Sequence, residues 1–432
     1  MKNGFVGNNW ARRYIMNPYN VETKELKDYF LSLEQMYPKA YDKNTTGPYS
    51  KCRVILMNGT EYESVWFLHQ FARHCDVDEI KEALALVRRQ EQQQQKRIAS
   101  LKPINESILE TTIGYEQLAV DLTACLAKEE NDQNNKMALD FALLEDFDHL
   151  YRFSNLLYMD KGIDAKTLVG GFTEITPGRP TIAEHRNPLQ DLRKPMNADK
   201  ASLYSKLVAS IITAAEQQTM NYYMNISQWY KNDLGRKLYA EIAMIEEQHV
   251  TQYESLKDPT CTWLEQWVLH EYTECYLYYS AAQSEKDSHL RDIWEEHFEM
   301  ECAHLKLATS LLEKYEKKAY SSVVGDGEFP KLLELGTNID YVKDVLARTV
   351  TNTSLNKAYL DICELPEDNI YEFYQDKVIN EETTPSHQVI EKMIKENGKD
   401  YRFEKGANPI KALQDRKTDN TTVGRKCEEK NS

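Results

Sequence analysis

Three segments of the chain place an acidic residue three positions before a histidine: Asp146 and His149 in LLEDFDHL, Glu246 and His249 in MIEEQHV, and Glu301 and His304 in EMECAHL. On a helix, residues i and i+3 share a face. The face around Glu246 and His249 is otherwise apolar, with Ile242, Ala243, Val250 and Tyr253 beside them. A carboxylate and an imidazole turned into a helical interior need partners there. A transition-metal cation suits both as ligands.

A second acid stands thirty positions before each pair: Glu116, Glu216 and Glu271. Each sits among apolar residues at helical offsets, Ile113 and Val120, Ile212 and Met220, and Val268 and Tyr278 respectively. With 69 Asp and Glu in 432 residues, an acid falls three before a histidine about one time in six by chance, so a single pair carries no weight. The recurrence of the thirty-residue partner carries the signal. The rival reading is a set of carboxylate–imidazole contacts satisfied inside a metal-free helical scaffold.

Few Gly and Pro, 16 and 13, together with abundant helix formers, predict an all-α protein. Periodicity and caps predict helices over 105–128 and 136–158, 201–231 and 234–256, and 263–283 and 287–320, each couple joined by a short polar turn. In each couple the two members of the thirty-residue spacing stand equally far from the turn, so they face one another at one height. The stretch 160–199 holds Gly170–Gly171 and Pro177–Gly178–Arg179–Pro180 and cannot be helical throughout. It is long enough to return the chain along a helix set.

Helices are also predicted over 61–75 and 78–101, the latter with a Gln-rich middle, and the run 53–57 reads as β-like. Residues 1–101 have no evident role at this level. Beyond residue 320 the pattern fades into shorter helical runs at 340–349 and 386–396, read as a covering subdomain, and a disordered final twenty residues. The resulting division is 1–101, 102–258, 259–320 and 321–432.

The net charge of −16 and the lack of a basic stripe argue against nucleic acid or an anionic membrane as partner. MKNGFVGNNWARRY lacks the apolar core of a signal peptide, and no stretch approaches eighteen apolar residues, so a soluble cytoplasmic protein is expected. Eight scattered Cys without a C-x-x-C pair read as reduced thiols, and exclude a zinc ribbon or rubredoxin-type site. No phosphate loop, nucleophile elbow or H-E-x-x-H motif is present.

Glu116, Asp146-x-x-His149, the long connection, Glu216 and Glu246-x-x-His249 together resemble the ferritin-like superfamily, nearest to rubrerythrin-type di-iron carboxylate proteins. The resemblance covers about 105–256. It implies a ferritin-like four-helix bundle with a long crossover, to which the third hairpin and the flanks are additions, and a cofactor of two iron ions, with manganese as the alternative. Glu116 and Glu216 would be the single carboxylates, Asp146 and Glu246 bridging or terminal carboxylates, and His149 and His249 the imidazole ligands. Asp146 stands where the family usually has Glu, and neighbouring Glu145, on a more polar face, is the replacement considered.

The implied activity is that of a dinuclear non-haem oxidoreductase acting on peroxide or dioxygen, supplied by a separate electron-donor protein, and the chain could self-associate. A metal-storage protein with ferroxidase activity is the alternative within the same chemistry. The resemblance does not account for Glu271, Glu301 and His304, which have His270, Glu274 and His297 nearby. They read as a site between subunits, a site shared within the chain that displaces another hairpin, or a remnant.

Overall fold

The computed structural model describes residues 16–366, 375–380, 383–415 and 423. The chain is mainly helical, and eight long helices form four antiparallel hairpins: α1 (Pro48–Arg73) with α2 (Asp78–Ala99), α3 (Ile108–Glu129) with α4 (Gln133–Lys161), α7 (Leu203–Trp229) with α8 (Asp233–Glu254), and α9 (Trp263–Ser284) with α10 (Ser288–Glu316). Local chemistry fixes their ends. Ser107 and Glu110 form a capping box at α3, and Thr262 and Glu265 do the same at α9, each satisfying two backbone donors. Asp132, Asn232 and Asp287 cap α4, α8 and α10. Gly162 ends α4 in the left-handed conformation that glycine adopts at least cost, and Lys317 ends α10 in the same conformation, short of the predicted residue 320.

The hairpins pair in a nested order. In the first four-helix set hairpin α1–α2 faces α9–α10, with α1 against α9 and α2 against α10; in the second hairpin α3–α4 faces α7–α8, with α3 against α7 and α4 against α8. The two four-helix sets meet through contacts of α1 with α3 and α7, and of α7 with α9. One apolar cluster runs through α1, α2, α9 and α10 and into the adjoining faces of α3 and α7, and a second fills the space among α3, α4 and α8. The run 53–57 therefore lies inside α1 and forms no strand: Val54, Leu56 and Met57 are buried in the first cluster, and tertiary burial outweighs local β preference.

The crossover from α4 to α7 contains two single-turn helices, α5 (Ala165–Leu168) and α6 (Thr181–Glu184). After α10 come α11 (Ser321–Val324) and α12 (Ile339–Thr349), then an antiparallel strand pair, β1 (Asn352–Leu355) and β2 (Ala358–Asp361), and α13 (Pro385–Asn397). Asn356 and Lys357, both at positive φ, make the two-residue turn between the strands. Both α12 and α13 pack on α4, and α13 also on α8, so the C-terminal segment covers the outer side of the second set. Most of the expected disordered tail, and the first fifteen residues, lie outside the described residues. Six described cysteines are free, but Cys363 is disulfide-bonded, contrary to the expectation of reduced thiols throughout. Among the described residues no helix is long and apolar enough to cross a membrane.

Asp121 of α3 ties several of these layers together. It accepts hydrogen bonds from Tyr49 of α1 (3.0 Å), Thr173 of the crossover (2.7 Å) and Asn338 just before α12 (3.4 Å). Burial outweighs these donors and pushes its pKa up from 3.8 to about 7. The folded chain thus keeps a proton that the unfolded chain releases, so this group's contribution to stability is complete below pH 3.8 and declines as the pH rises toward 7. We expect the wild type to lose roughly 2 kcal/mol more than Asp121→Asn between pH 5 and pH 8 in urea unfolding. Parallel losses in the two proteins would contradict the assignment.

Candidate metal centres

Each helix of the second set delivers its acid or histidine to one interior point. Glu116 comes from α3, Asp146 and His149 from α4, Glu216 from α7, and Glu246 and His249 from α8, and none is more than 1% exposed. Asp146, Glu216, Glu246 and His249 each offer an atom within 4.8 Å of the others, and so do Glu116, His149 and Glu246. Glu246 belongs to both groups. Its Oε1 lies 3.1 Å from His149 Nδ1 and its Oε2 3.2 Å from His249 Nδ1. His249 Nδ1 is also 3.3 Å from Asp146 and 3.7 Å from Glu216.

Both imidazoles turn Nδ1 inward and are held from outside through Nε2. His149 Nε2 meets Glu184 Oε2 at 3.1 Å, and His249 Nε2 meets Glu145 Oε2 at 2.8 Å. Carboxylate contacts of this kind fix the ring and its tautomer. Glu145 is in turn paired with Arg179 (2.8 Å) and Arg186 (2.6 Å), and Arg186 with Asp191 (3.0 Å). Glu145 is therefore fully buried, not on the more polar face assigned from sequence. The two arginines also lie over the Phe141 ring.

Glu184, Arg179 and Arg186 all belong to the crossover, and sequence reasoning missed them because no periodicity marks them. Gly178 lets this strap lie on α4. Its N–H donates to Asp148 Oδ1 (2.9 Å), and a Cβ there would stand 2.4 Å from the Leu144 carbonyl oxygen.

The electrostatics of this cluster fit cations. Burial, reinforced by neighbouring acids, holds Glu116 and Glu216 well above the usual carboxylate range. Glu246 goes the other way, down to about 2, because both histidines outweigh its burial. Burial opposes the charged form of His149 and His249, but Glu184 around the first and Asp146 around the second hold both imidazoles well above their ordinary value. Both oxygens of Asp146, both of Glu216 and one of Glu116 accept no hydrogen bond of good geometry. Buried carboxylate oxygens in that condition are costly unless a cation meets them. Two divalent ions would balance four carboxylates.

No protein-family model, curated protein or solved structure matches this chain. The site's chemistry must therefore be argued from its own residues. Tyr223 donates its hydroxyl to Glu116, Tyr115 stacks on Tyr222, and the buried Tyr253 hydroxyl, with its ring 6.4 Å from that of His249, has no hydrogen-bond acceptor.

Glu271, Glu301 and His304 lie in the first four-helix set, not with the cluster just described. They are completed within the chain by Glu91 of α2, all four offering atoms within 4.8 Å of one another, and Glu61, Glu91 and Glu274 form an adjoining group. His304 Nδ1 lies 3.0 Å from Glu91, 3.1 Å from Glu301 and 3.7 Å from Glu271, and its Nε2 3.0 Å from Gln90. None of the three sequence readings of this set included α1–α2. Glu61 and Glu91 are themselves thirty residues apart, and Gln94 follows Glu91 by three. Neither carries the histidine that marks the other three segments.

Glu184→Gln tests the outer support of His149 with little disturbance of packing, because among the described residues no arginine lies at ion-pair distance from Glu184. The expected result is a ten- to hundred-fold weaker hold on metal, measured by chelator competition, with unchanged helicity. Unaltered affinity would remove Glu184 as a positioning residue.

Proposed function

We propose that the chain is a dinuclear non-haem oxidoreductase acting on peroxide or dioxygen, with its reaction centre at Glu116, Asp146, His149, Glu216, Glu246 and His249. The observation that carries this reading is the placement of Glu246 between two inward-facing imidazoles, one for each carboxylate oxygen. Glu246, His149 and His249 would hold cations there, with Glu116, Asp146 and Glu216 as further carboxylate ligands. The architecture we infer is the ferritin-like bundle with a long crossover, of the rubrerythrin type.

Iron or manganese, if held by these residues, would supply redox chemistry toward peroxide or dioxygen. The protein's part is positional. Glu184 and Glu145 keep Nε2 of each imidazole occupied so that Nδ1 faces the centre. Arg179 and Arg186 hold Glu145 charged despite its burial. Tyr223 places a hydroxyl donor on Glu116. The C-terminal segment and the crossover exclude water, with the Tyr359 ring tilted 31° against Phe141 and its hydroxyl donating to Gln252. With no C-x-x-C module in the chain, reducing equivalents come from a separate donor protein. A metal-free scaffold is disfavoured because it would leave the oxygens of Asp146 and Glu216 buried without donors.

Elemental analysis of the purified protein, paired with stopped-flow oxidation of the ferrous form by peroxide, tests the proposal. We expect His149→Ala and His249→Ala each to lower metal content and to slow peroxide-dependent oxidation at least about tenfold while helicity is kept. Fewer than about 0.2 ions per folded wild-type chain, or full metal content in both variants, would overturn it.

A further inference from the structure

The two buried clusters are related residue by residue. Glu61, Gln90, Glu91 and Gln94 precede Glu116, Glu145, Asp146 and His149 by fifty-five positions, and Glu271, Tyr278, Glu301 and His304 follow Glu216, Tyr223, Glu246 and His249 by the same interval. The contacts correspond as well. Tyr278 donates to Glu61 as Tyr223 does to Glu116, and Gln90 meets His304 Nε2 where Glu145 meets His249 Nε2.

Gln90 and Glu91 stand for Glu145 and Asp146, and two further differences change the number of imidazole and carboxylate groups. Gln94 replaces the second imidazole and donates to Glu61 and Glu301, while Glu274 stands at the place of Thr219, adding a fifth carboxylate. We infer that the α1–α2 and α9–α10 core is a second dinuclear cation site, built by Glu61, Glu91, Glu271, Glu274, Glu301 and His304, and that it prefers manganese over iron more strongly than the first.

Several observations point to a ligand. All six residues are fully buried. Both oxygens of Glu274 and of Glu91, and one each of Glu61 and Glu271, accept no hydrogen bond. The nearest ion-pair partner of Glu274 is His270 Nδ1, 3.7 Å away, and of Glu91 it is His304. A core that buries five carboxylates around His304, with His297 engaged through Nδ1 on the Tyr278 hydroxyl at 3.0 Å, and without donors for most of the carboxylate oxygens, is intelligible as a receptor for positive charge.

The preference follows from donor type. Imidazole suits iron, whereas carboxylate oxygen suits manganese, and this core has exchanged one imidazole for an amide and an extra carboxylate. A cavity also adjoins it. His270 lines a cavity of about 420 Å³ together with Glu63, Phe67, Lys206 and Lys257, and so forms the wall between that cavity and Glu274.

The inference is tested on the full chain, stripped of metal and reloaded anaerobically with Mn(II) alone, Fe(II) alone, or an equal mixture, with metal counted by elemental analysis. We expect about four ions in the wild type and about two in Glu91→Gln/Glu274→Gln, the remaining pair being lost when His149→Ala and His249→Ala are added. Wild-type saturation at two ions that survive Glu91→Gln/Glu274→Gln would overturn the second site and leave the first standing. Two ions that survive loss of His149 and His249 would do the reverse.

Because removing charge from a core can disturb folding, Gln94→His/Glu274→Thr provides an independent check by installing the first cluster's residues at both positions. The expected outcome is an unchanged total with the manganese-to-iron ratio from the mixture lowered at least about threefold. An unchanged ratio would overturn the metal preference.

Discussion

The structure depends on hiding carboxylates. Four acids and two histidines are enclosed among α3, α4, α7 and α8, and five acids with two histidines, His297 and His304, among α1, α2, α9 and α10. Burying one unpaired carboxylate costs several kcal/mol, so both cores are tenable only if charge is returned to them. Imidazolium, arginine and hydroxyl donors return part of it: His249 for Glu246, Arg179 and Arg186 for Glu145, Tyr223 for Glu116. The oxygens left over are the part that the chain does not supply.

This constraint explains the unusual company kept by the crossover. A forty-residue connection could serve merely to return the chain, yet here it carries two buried arginines and Glu184 into contact with α4. Its glycine at 178 is needed for close approach and not for a special backbone angle, since the Leu144 carbonyl occupies the space a side chain would take. The histidines, the acids behind them and the arginines behind those form one connected layer, so the strap belongs to the site as much as the helices do.

Much of this was legible in the sequence, for reasons that differ by element. Helix extents follow from apolar periodicity between polar turns, although α4 begins at Gln133 behind its cap Asp132, three residues before the expected start. The inward acids and histidines of α3, α4, α7 and α8 were legible because two intervals, three and thirty, are imposed by helix geometry and hairpin length, and the structure brings those six residues together. What depends on residues far apart in the chain was not legible. The burial of Glu145 requires arginines thirty-four and forty-one positions later, and the role of α1–α2 was masked because Glu91 lies in a Gln-rich run that looks solvated and Gln94 replaces a histidine. The partner of α9–α10 was hidden for the same reason: short links between successive helices favour neighbours, and its partner is the hairpin most distant from it in sequence.

That nesting bears on how the chain acquires its shape. The α3–α4 and α7–α8 hairpins are complete once residue 254 has been made, but α2 cannot meet α10 until more than two hundred further residues have followed it. Contacts of such long separation form slowly, and the acid-lined face of α1–α2 must wait in solvent while the inner core assembles. Glu61, Gln90, Glu91 and Gln94 give that waiting face a polar patch among Leu68, Leu84 and Val87.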